Sequence, residues 1–134
     1  MKGFIPDKSD HGAVTPFEYL PCSAITPKAG LALVLTNGLL ALATGTTAPT
    51  YICMMNADAA VTAGTIIPVV RVDKDRIYET TNSAAFSSAK IGTKVTLHTD
   101  GLQVTATTTG GVAEIVDFDD KAKSGTGGTV HVRF

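Results

Sequence analysis

Residues 31–43 have the sequence LALVLTNGLLALA, in which two apolar runs flank Asn37-Gly38. An Asn-Gly pair between apolar runs is the strongest short-range signal for a β-hairpin, because a type I′ turn needs positive φ at both positions. Residues 94–106, KVTLHTDGLQVTA, repeat the pattern with Asp100-Gly101 at the turn. The two stretches predict two hairpins, with strands at 31–35, 39–43, 94–98 and 102–106, and they indicate an all-β fold.

Other segments rich in β-branched residues lie between Gly, Pro, Asn and Asp, which favour turns. They predict strands at 51–55, 66–72, 77–80, 113–118 and 129–134. The only helix signal is weak and covers residues 83–90, where Asn82 or Ser83 supplies a cap. We expect a single β-sandwich or β-barrel domain over residues 29–134, preceded by an extended arm over residues 1–28.

The two hairpins belong to two four-strand units, residues 30–72 and 92–134, that align with each other. Placing Gly38 on Gly101 also pairs Leu39 with Leu102, Ala43 with Ala106, Thr44 with Thr107 and Ile52 with Ile115. Two interpretations are open: the units are related, or two Thr- and Gly-rich β sequences align by chance. Four strands of about five residues are marginal alone, so in either case the units must share one core.

The N-terminal segment lacks regular alternation and contains Pro6, Pro16, Pro21 and Pro27. Because proline interrupts helices and favours extended backbone, this segment suits lying along another protein or adding a strand to its sheet. The alternative is a frayed terminus followed by an edge strand of the chain's own domain within residues 17–25. The candidate contact residues of the arm are Phe4, Pro6, Pro16, Phe17, Tyr19, Leu20 and Ile25.

Composition excludes several classes of function. Charged residues make up 17% of the chain against a usual value of about 25%, and the net charge is −1. A surface poor in charge is easily desolvated, which favours contact with other proteins. The absence of a basic cluster and of Trp argues against nucleic acid binding. The longest apolar run, residues 30–35, is too short to cross a bilayer, so we expect no membrane association.

No motif of catalytic chemistry is present, and we expect no enzyme activity, cofactor, metal or small-molecule substrate. His11, His98 and His131 are far apart in sequence. The acidic run 117–120 offers too few oxygens for Ca²⁺ by itself and is better explained as a solvated strand end. Cys22 and Cys53 are expected to be free thiols, since nothing in the sequence indicates an oxidising compartment.

The chain resembles the head decoration proteins of tailed bacteriophages. The resemblance is one of pattern and covers most of the chain. It is carried by KAGLAL at 28–33, Asn37-Gly38, APTYI at 48–52, GTIIPV at 64–69, Tyr78-Glu79 and GGTVHVRF at 127–134. The second unit, residues 94–134, extends past the smallest members of the family.

This resemblance implies a β-tulip-like or sandwich domain in a virion protein made in the host cytoplasm. It implies a homotrimer, or sometimes a single copy, that binds the major capsid protein on the outside of the expanded shell and stabilises the shell. The arm, residues 1–25, would add main-chain hydrogen bonds to a capsid strand. Two rival functions stay open: a phage tail, baseplate or fibre component, and a carbohydrate-binding β-module, although the low aromatic content argues against sugar binding.

Overall fold

The computed structural model describes residues 3–9, 16–87 and 91–134. Within these ranges the strands form two five-stranded antiparallel sheets packed against each other, and neither is a closed barrel. The all-β prediction is therefore confirmed, in its sandwich form. The elements are β1 (Ile5–Ser9), β2 (Phe17–Pro21), β3 (Ala32–Thr36), β4 (Leu39–Leu42), β5 (Tyr51–Cys53), β6 (Ile66–Arg71), β7 (Arg76–Thr81), β8 (Lys94–Val95), β9 (Ala113–Phe118), α1 (Asp120–Ser124) and β10 (Thr129–Arg133).

Each sheet is built mainly from one half of the chain. Sheet I has the order β2-β6-β5-β3-β4, and sheet II has the order β1-β7-β10-β9-β8. In sheet I the β3–β4 hairpin turns at Asn37-Gly38, β5 pairs with β3, β6 pairs with β5, and β2 pairs with β6. In sheet II β9 pairs with β8, β10 with β9, and β7 with β10. The two halves therefore have the same strand order, with β7 in the place of β2 and β10 in the place of β6.

The correspondence extends to individual hydrogen bonds where each sheet curls back on itself. The N–H of Ser23 donates to the carbonyl of Leu40, and the N–H of Ser83 donates to the carbonyl of Val104. Parallel bridges join Cys22 to Leu40 and Asn82 to Val104 at these points. A common origin of the two units stays a prediction, but their topology and their closing contacts match.

Two groups of buried side chains hold the sandwich together. The first lies between and within the sheets and contains large residues such as Tyr78, Phe86 and Ile115. The second lies on the other face of sheet I and contains Leu33 and Ile67 among others. Because both faces of sheet I are apolar, its strands show continuous apolar runs instead of simple alternation.

The N-terminal segment 3–9 is part of the domain. β1 pairs antiparallel with β7, and the ring of Phe4 lies 5.3 Å from the ring of Phe134 in the core. Gly3 and Gly30 both have positive φ, and a Cβ on Gly30 would come within 2.6 Å of the Gly3 Cα. Only glycine permits this backbone approach, which places the segment before β1 of sheet II against the segment before β3 of sheet I.

Three predicted elements differ in the structure. Of the strand predicted at 94–98, only β8 (Lys94–Val95) forms. Residues 102–106 do not form a strand; Val104 makes only isolated bridges to Leu97 and Asn82, because the segment curls between two neighbours. The predicted helix at 83–90 is wrong for its described part, since residues 83–87 are irregular. The helix lies instead at α1, where Asp119 caps the first turn by accepting from the N–H of Ala122.

Candidate protein-binding edge

Along Phe17 and Tyr19 the outer side of β2 has no described strand paired with it; β4 meets only the end of β2, through the Cys22–Leu40 bridge and the hydrogen bond from the N–H of Ser23 to the carbonyl of Leu40. The carbonyl of Pro68 accepts from Met54 on the β5 side, so the main-chain groups of Ile67 and Val69 face β2. The main-chain N–H and C=O groups of their partners Leu20 and Glu18 consequently point toward β6. The main-chain N–H and C=O groups of the alternate residues, Phe17 and Tyr19, therefore point away from the sheet.

The side chains beside this edge are apolar and exposed. Tyr19 is 65% exposed, Phe17 is 51% exposed, and Ile66, opposite Pro21 on β6, is 56% exposed. We call this set, with the outward main chain of β2, the β2 edge. An aromatic and aliphatic surface beside main-chain groups that no described strand pairs with is what an added strand of another protein would cover.

Charged side chains fix one end of the β2 edge. Arg71 on β6 donates two hydrogen bonds to the carboxylate of Glu18, at 3.1 and 2.9 Å, and its guanidinium lies 5.0 Å from the centre of the Tyr51 ring. These contacts raise the pKa of Arg71, first through the hydrogen bonds to Glu18. A shallow groove of about 470 Å³ adjoins the pair and is lined by Pro16, Glu18, Arg71, Val72, Asp73 and Lys74.

The predicted contact residues divide into exposed and buried groups. Pro16, Phe17 and Tyr19 are exposed, and Pro6 is half-buried. Leu20 and Ile25 are half-buried against the second core. Phe4 is wholly buried and offers no surface to a partner, because it fills space between the sheets. For residues 17–21 the structure has the alternative arrangement, an edge strand on the chain's own domain.

The sequence pattern did not identify Ile66 or Arg71 as part of this surface. The adjacent pair Ile66-Ile67 carried a signal, because neighbouring strand residues face opposite sides and one of them had to point outward.

The two predicted turns form by different means. Asn37 and Gly38 have φ of 52° and 79°, as a type I′ turn requires. In the second hairpin only Gly101 has positive φ, and the carboxylate of Asp100 accepts from the N–H of Leu102 at 2.8 Å. Asp100 thus supports its turn through its side chain instead of its backbone conformation.

A charged cluster on the outer face of sheet II holds β1 in place. The Nε2 of His131 lies 3.4 Å from carboxylate oxygens of both Asp7 and Glu79, and its Nδ1 contacts Asp117. Carboxylates only accept hydrogen bonds, so the two ring nitrogens of His131 face three accepting groups. The cluster links four strands and is a structural contact across the sheet.

No group of ligating side chains suited to a metal ion occurs within residues 3–9, 16–87 and 91–134. Cys22 and Cys53 are free thiols, as predicted, and both are buried, which raises the pKa of each thiol. Tyr51 and Tyr78 are buried, which leaves Tyr19 as the exposed tyrosine. In the described ranges no helix is both long and apolar enough to span a membrane.

A comparison with models of known protein families finds no match, and a comparison with curated protein sequences finds no relative.

Proposed function

We propose that the protein is a structural virion protein that binds the outside of a phage capsid and stabilises the expanded shell. The observation that carries the proposal is the β2 edge, where exposed Phe17, Tyr19 and Ile66 flank main-chain groups with no described partner strand. The low charge of the chain and its resemblance to head decoration proteins support the same function.

The contact we propose differs from a released arm. Phe4 is buried and β1 is paired with β7, so the described part of residues 3–9 is committed to the domain. Binding through β2 requires no part of the fold to open. The partner is the major capsid protein, and a homotrimer would present three β2 edges, so that weak single contacts combine into tight binding.

The test uses the major capsid protein encoded in the same genome, assembled into shells and expanded. We expect the purified chain to co-sediment with expanded shells and to raise their melting temperature. Replacing both Tyr19 and Ile66 with Ser should abolish co-sedimentation. The matched control is Ile91→Ser, which removes an equally exposed aliphatic side chain, 67% exposed, outside the β2 edge and should bind normally.

Absence of wild-type co-sedimentation with both unexpanded and expanded shells would refute the capsid assignment. Equal loss for the Ile91→Ser control would refute the assignment of the surface. Sedimentation equilibrium on the free protein tests the trimer separately, and a mass of one chain at all concentrations would contradict it in solution.

A further inference from the structure

We propose that the β2 edge takes up an extended segment of a partner protein as an additional strand of sheet I, running antiparallel to β2. This deepens the proposed function by naming the form of the partner at the site. It rests on that proposal only for the choice of surface, because the geometry is the same whichever protein supplies the strand.

The chain itself contains the arrangement that we propose. β7 occupies the place in sheet II that β2 occupies in sheet I, and β7 is covered on its outer side by β1. The pairs Ile5–Glu79 and Lys8–Ile77 are antiparallel. In sheet I the positions that correspond to Glu79 and Ile77 are Tyr19 and Phe17. The outer side of β2 at these two residues has no described strand in the place that β1 takes beside β7.

The correspondence of these positions is anchored by the closing bridges, in which Cys22 and Asn82 take the same place, so that Tyr19 and Glu79 each lie three residues before the bridge. Tyr19 faces Pro68 on β6, and Glu79 faces His131 on β10. Two residues further along each strand, Pro21 faces Ile66 and Thr81 faces Thr129.

The same comparison shows that two of the three apolar positions of the β2 edge have polar counterparts in sheet II, whereas Phe17 corresponds to apolar Ile77. At the positions of Tyr19 and Ile66, sheet II has Glu79 and Thr129. Polar residues there are compatible with the strand order, the register and the closing bridge. The exposed aromatic and aliphatic side chains of sheet I consequently serve a contact that sheet II makes within the chain.

Prolines limit the length of the strand that binds. Pro16 precedes β2, and Pro21 at its end has no N–H to donate. The outward donors are therefore the N–H groups of Phe17 and Tyr19. A partner segment of about five residues, the length of β1, would cover them, and the prolines prevent the edge from extending into an open-ended sheet.

A second copy of the chain is a poor occupant of this edge. Antiparallel pairing of two β2 strands that matches Phe17 with Tyr19 of the other copy places the two Glu18 residues directly opposite each other. Opposed like charges destabilise a strand pair. Shifting the register so that Tyr19 meets Tyr19 places Pro21, which lacks a donor, opposite Phe17. These two registers of a second copy are disfavoured, and we assign the edge to a different chain, whose side chains facing Phe17 and Tyr19 are aliphatic or aromatic.

The first test needs no identified partner. The probe is a library of random nine-residue peptides, selected on the purified full-length chain, with the Tyr19→Pro variant used to remove non-specific binders. Proline at an edge position keeps the bonds from β2 to β6 and removes one outward donor. We expect enriched peptides with alternating apolar residues and at least about tenfold weaker binding to Tyr19→Pro. Tyr19→Thr keeps the N–H and should weaken binding less.

Amide hydrogen exchange gives the decisive readout. In the free protein the amides of Phe17 and Tyr19 should exchange fast, while those of Glu18 and Leu20 are protected by β6. Bound peptide should slow exchange at Phe17 and Tyr19. Protection of both amides in the free protein, selection of no peptide, or equal binding by wild type and Tyr19→Pro would each overturn the proposal.

A second arm separates this inference from the proposed function. If wild type and the Tyr19→Pro variant bind expanded shells equally well, capsid binding stands and strand addition is overturned. Wild type that selects edge-binding peptides and ignores shells would refute the capsid assignment and retain strand addition.

Discussion

The buried side chain of Asn82 offers the sharpest test of the physical account of this fold. Its amide nitrogen donates to the carbonyls of Ala84, Ala122 and Gly125 at 2.8, 3.0 and 2.7 Å, and its Oδ1 accepts from the N–H of Gly128 at 2.8 Å. The side chain is completely buried and ties β7 to the segment between α1 and β10. We expect Asn82→Ala to destabilise the protein severely.

The magnitude follows from the groups left without partners. Asn82 has two N–H hydrogens and one accepting oxygen engaged here, and each buried hydrogen bond contributes about 1 to 1.5 kcal/mol net. Their loss predicts a decrease of about 4 kcal/mol in the free energy of unfolding, out of a total of about 5–15 kcal/mol for a typical domain. For a chain of this size that corresponds to a decrease of about 15 °C in melting temperature.

The assay is urea denaturation followed by circular dichroism, together with a thermal scan. The matched control is Asn56→Ala, because the Oδ1 of exposed Asn56 accepts a single bond from the N–H of Ala29 at 3.0 Å. That change should cost less than about 1 kcal/mol. Asn82→Asp separates the donor from the acceptor function, since its carboxylate can accept from Gly128 but cannot donate to the carbonyls. A loss for Asn82→Ala no greater than that of Asn56→Ala would refute the reasoning.

Three further predictions concern backbone packing, acid stability and thiol reactivity. Gly30→Ala should lower the free energy of unfolding by about 2–4 kcal/mol through strain and a backbone clash, whereas Gly64→Ala, with positive φ but open space, should cost only about 1 kcal/mol; equal losses in urea titrations would contradict the proposed contact. The pKa of Asp119 is lowered, first by the hydrogen bond from the N–H of Ala122, so its stabilisation is complete above the unfolded pKa and disappears as pH falls through the folded pKa. The difference in melting temperature between wild type and Asp119→Asn should therefore shrink as the pH falls below about 4, near the unfolded pKa of an aspartate, and a difference that stays constant there would argue against the cap's charge. Cys22 and Cys53, buried and with raised pKa, should react slowly with a thiol reagent at pH 8 and rapidly in urea; fast labelling of the native protein would contradict their burial.

The sequence predicted those elements whose signals are local. Ala113–Phe118 was predicted with its observed bounds, and Asn37-Gly38 has the positive φ values that its turn type requires. Residues 102–106 do not form the predicted strand. The turn between Leu97 and Val104 is longer than the one at Asn37-Gly38, and Val104 makes only single bridges to its neighbours. The helix at Asp120–Ser124 was missed although Asp119 is a favourable cap, because a helix of five residues has almost no periodic signal.

The candidate site was only partly accessible from sequence. Phe17 and Tyr19 were predicted as contact residues and are exposed, but Phe4 was grouped with them and is buried. All three are aromatic residues in a proline-punctuated segment, and no local feature separates them. The difference arises because β1 crosses to sheet II, where Phe4 meets the ring of Phe134 at the far end of the chain.

By itself the sequence determined the all-β class, the first hairpin and the matching order of strands along the two halves, because turn chemistry and side-chain alternation act over a few residues. Only the tertiary structure decided which strand lies beside which, that β1 covers β7, and that the outer side of β2 has no described partner strand along Phe17 and Tyr19. Those choices depend on contacts between residues far apart in the chain and on backbone fit, such as the close approach of Gly3 to Gly30. A strand carries the same main-chain donors and acceptors whether it is covered or exposed, so its sequence alone cannot show which edge is left open.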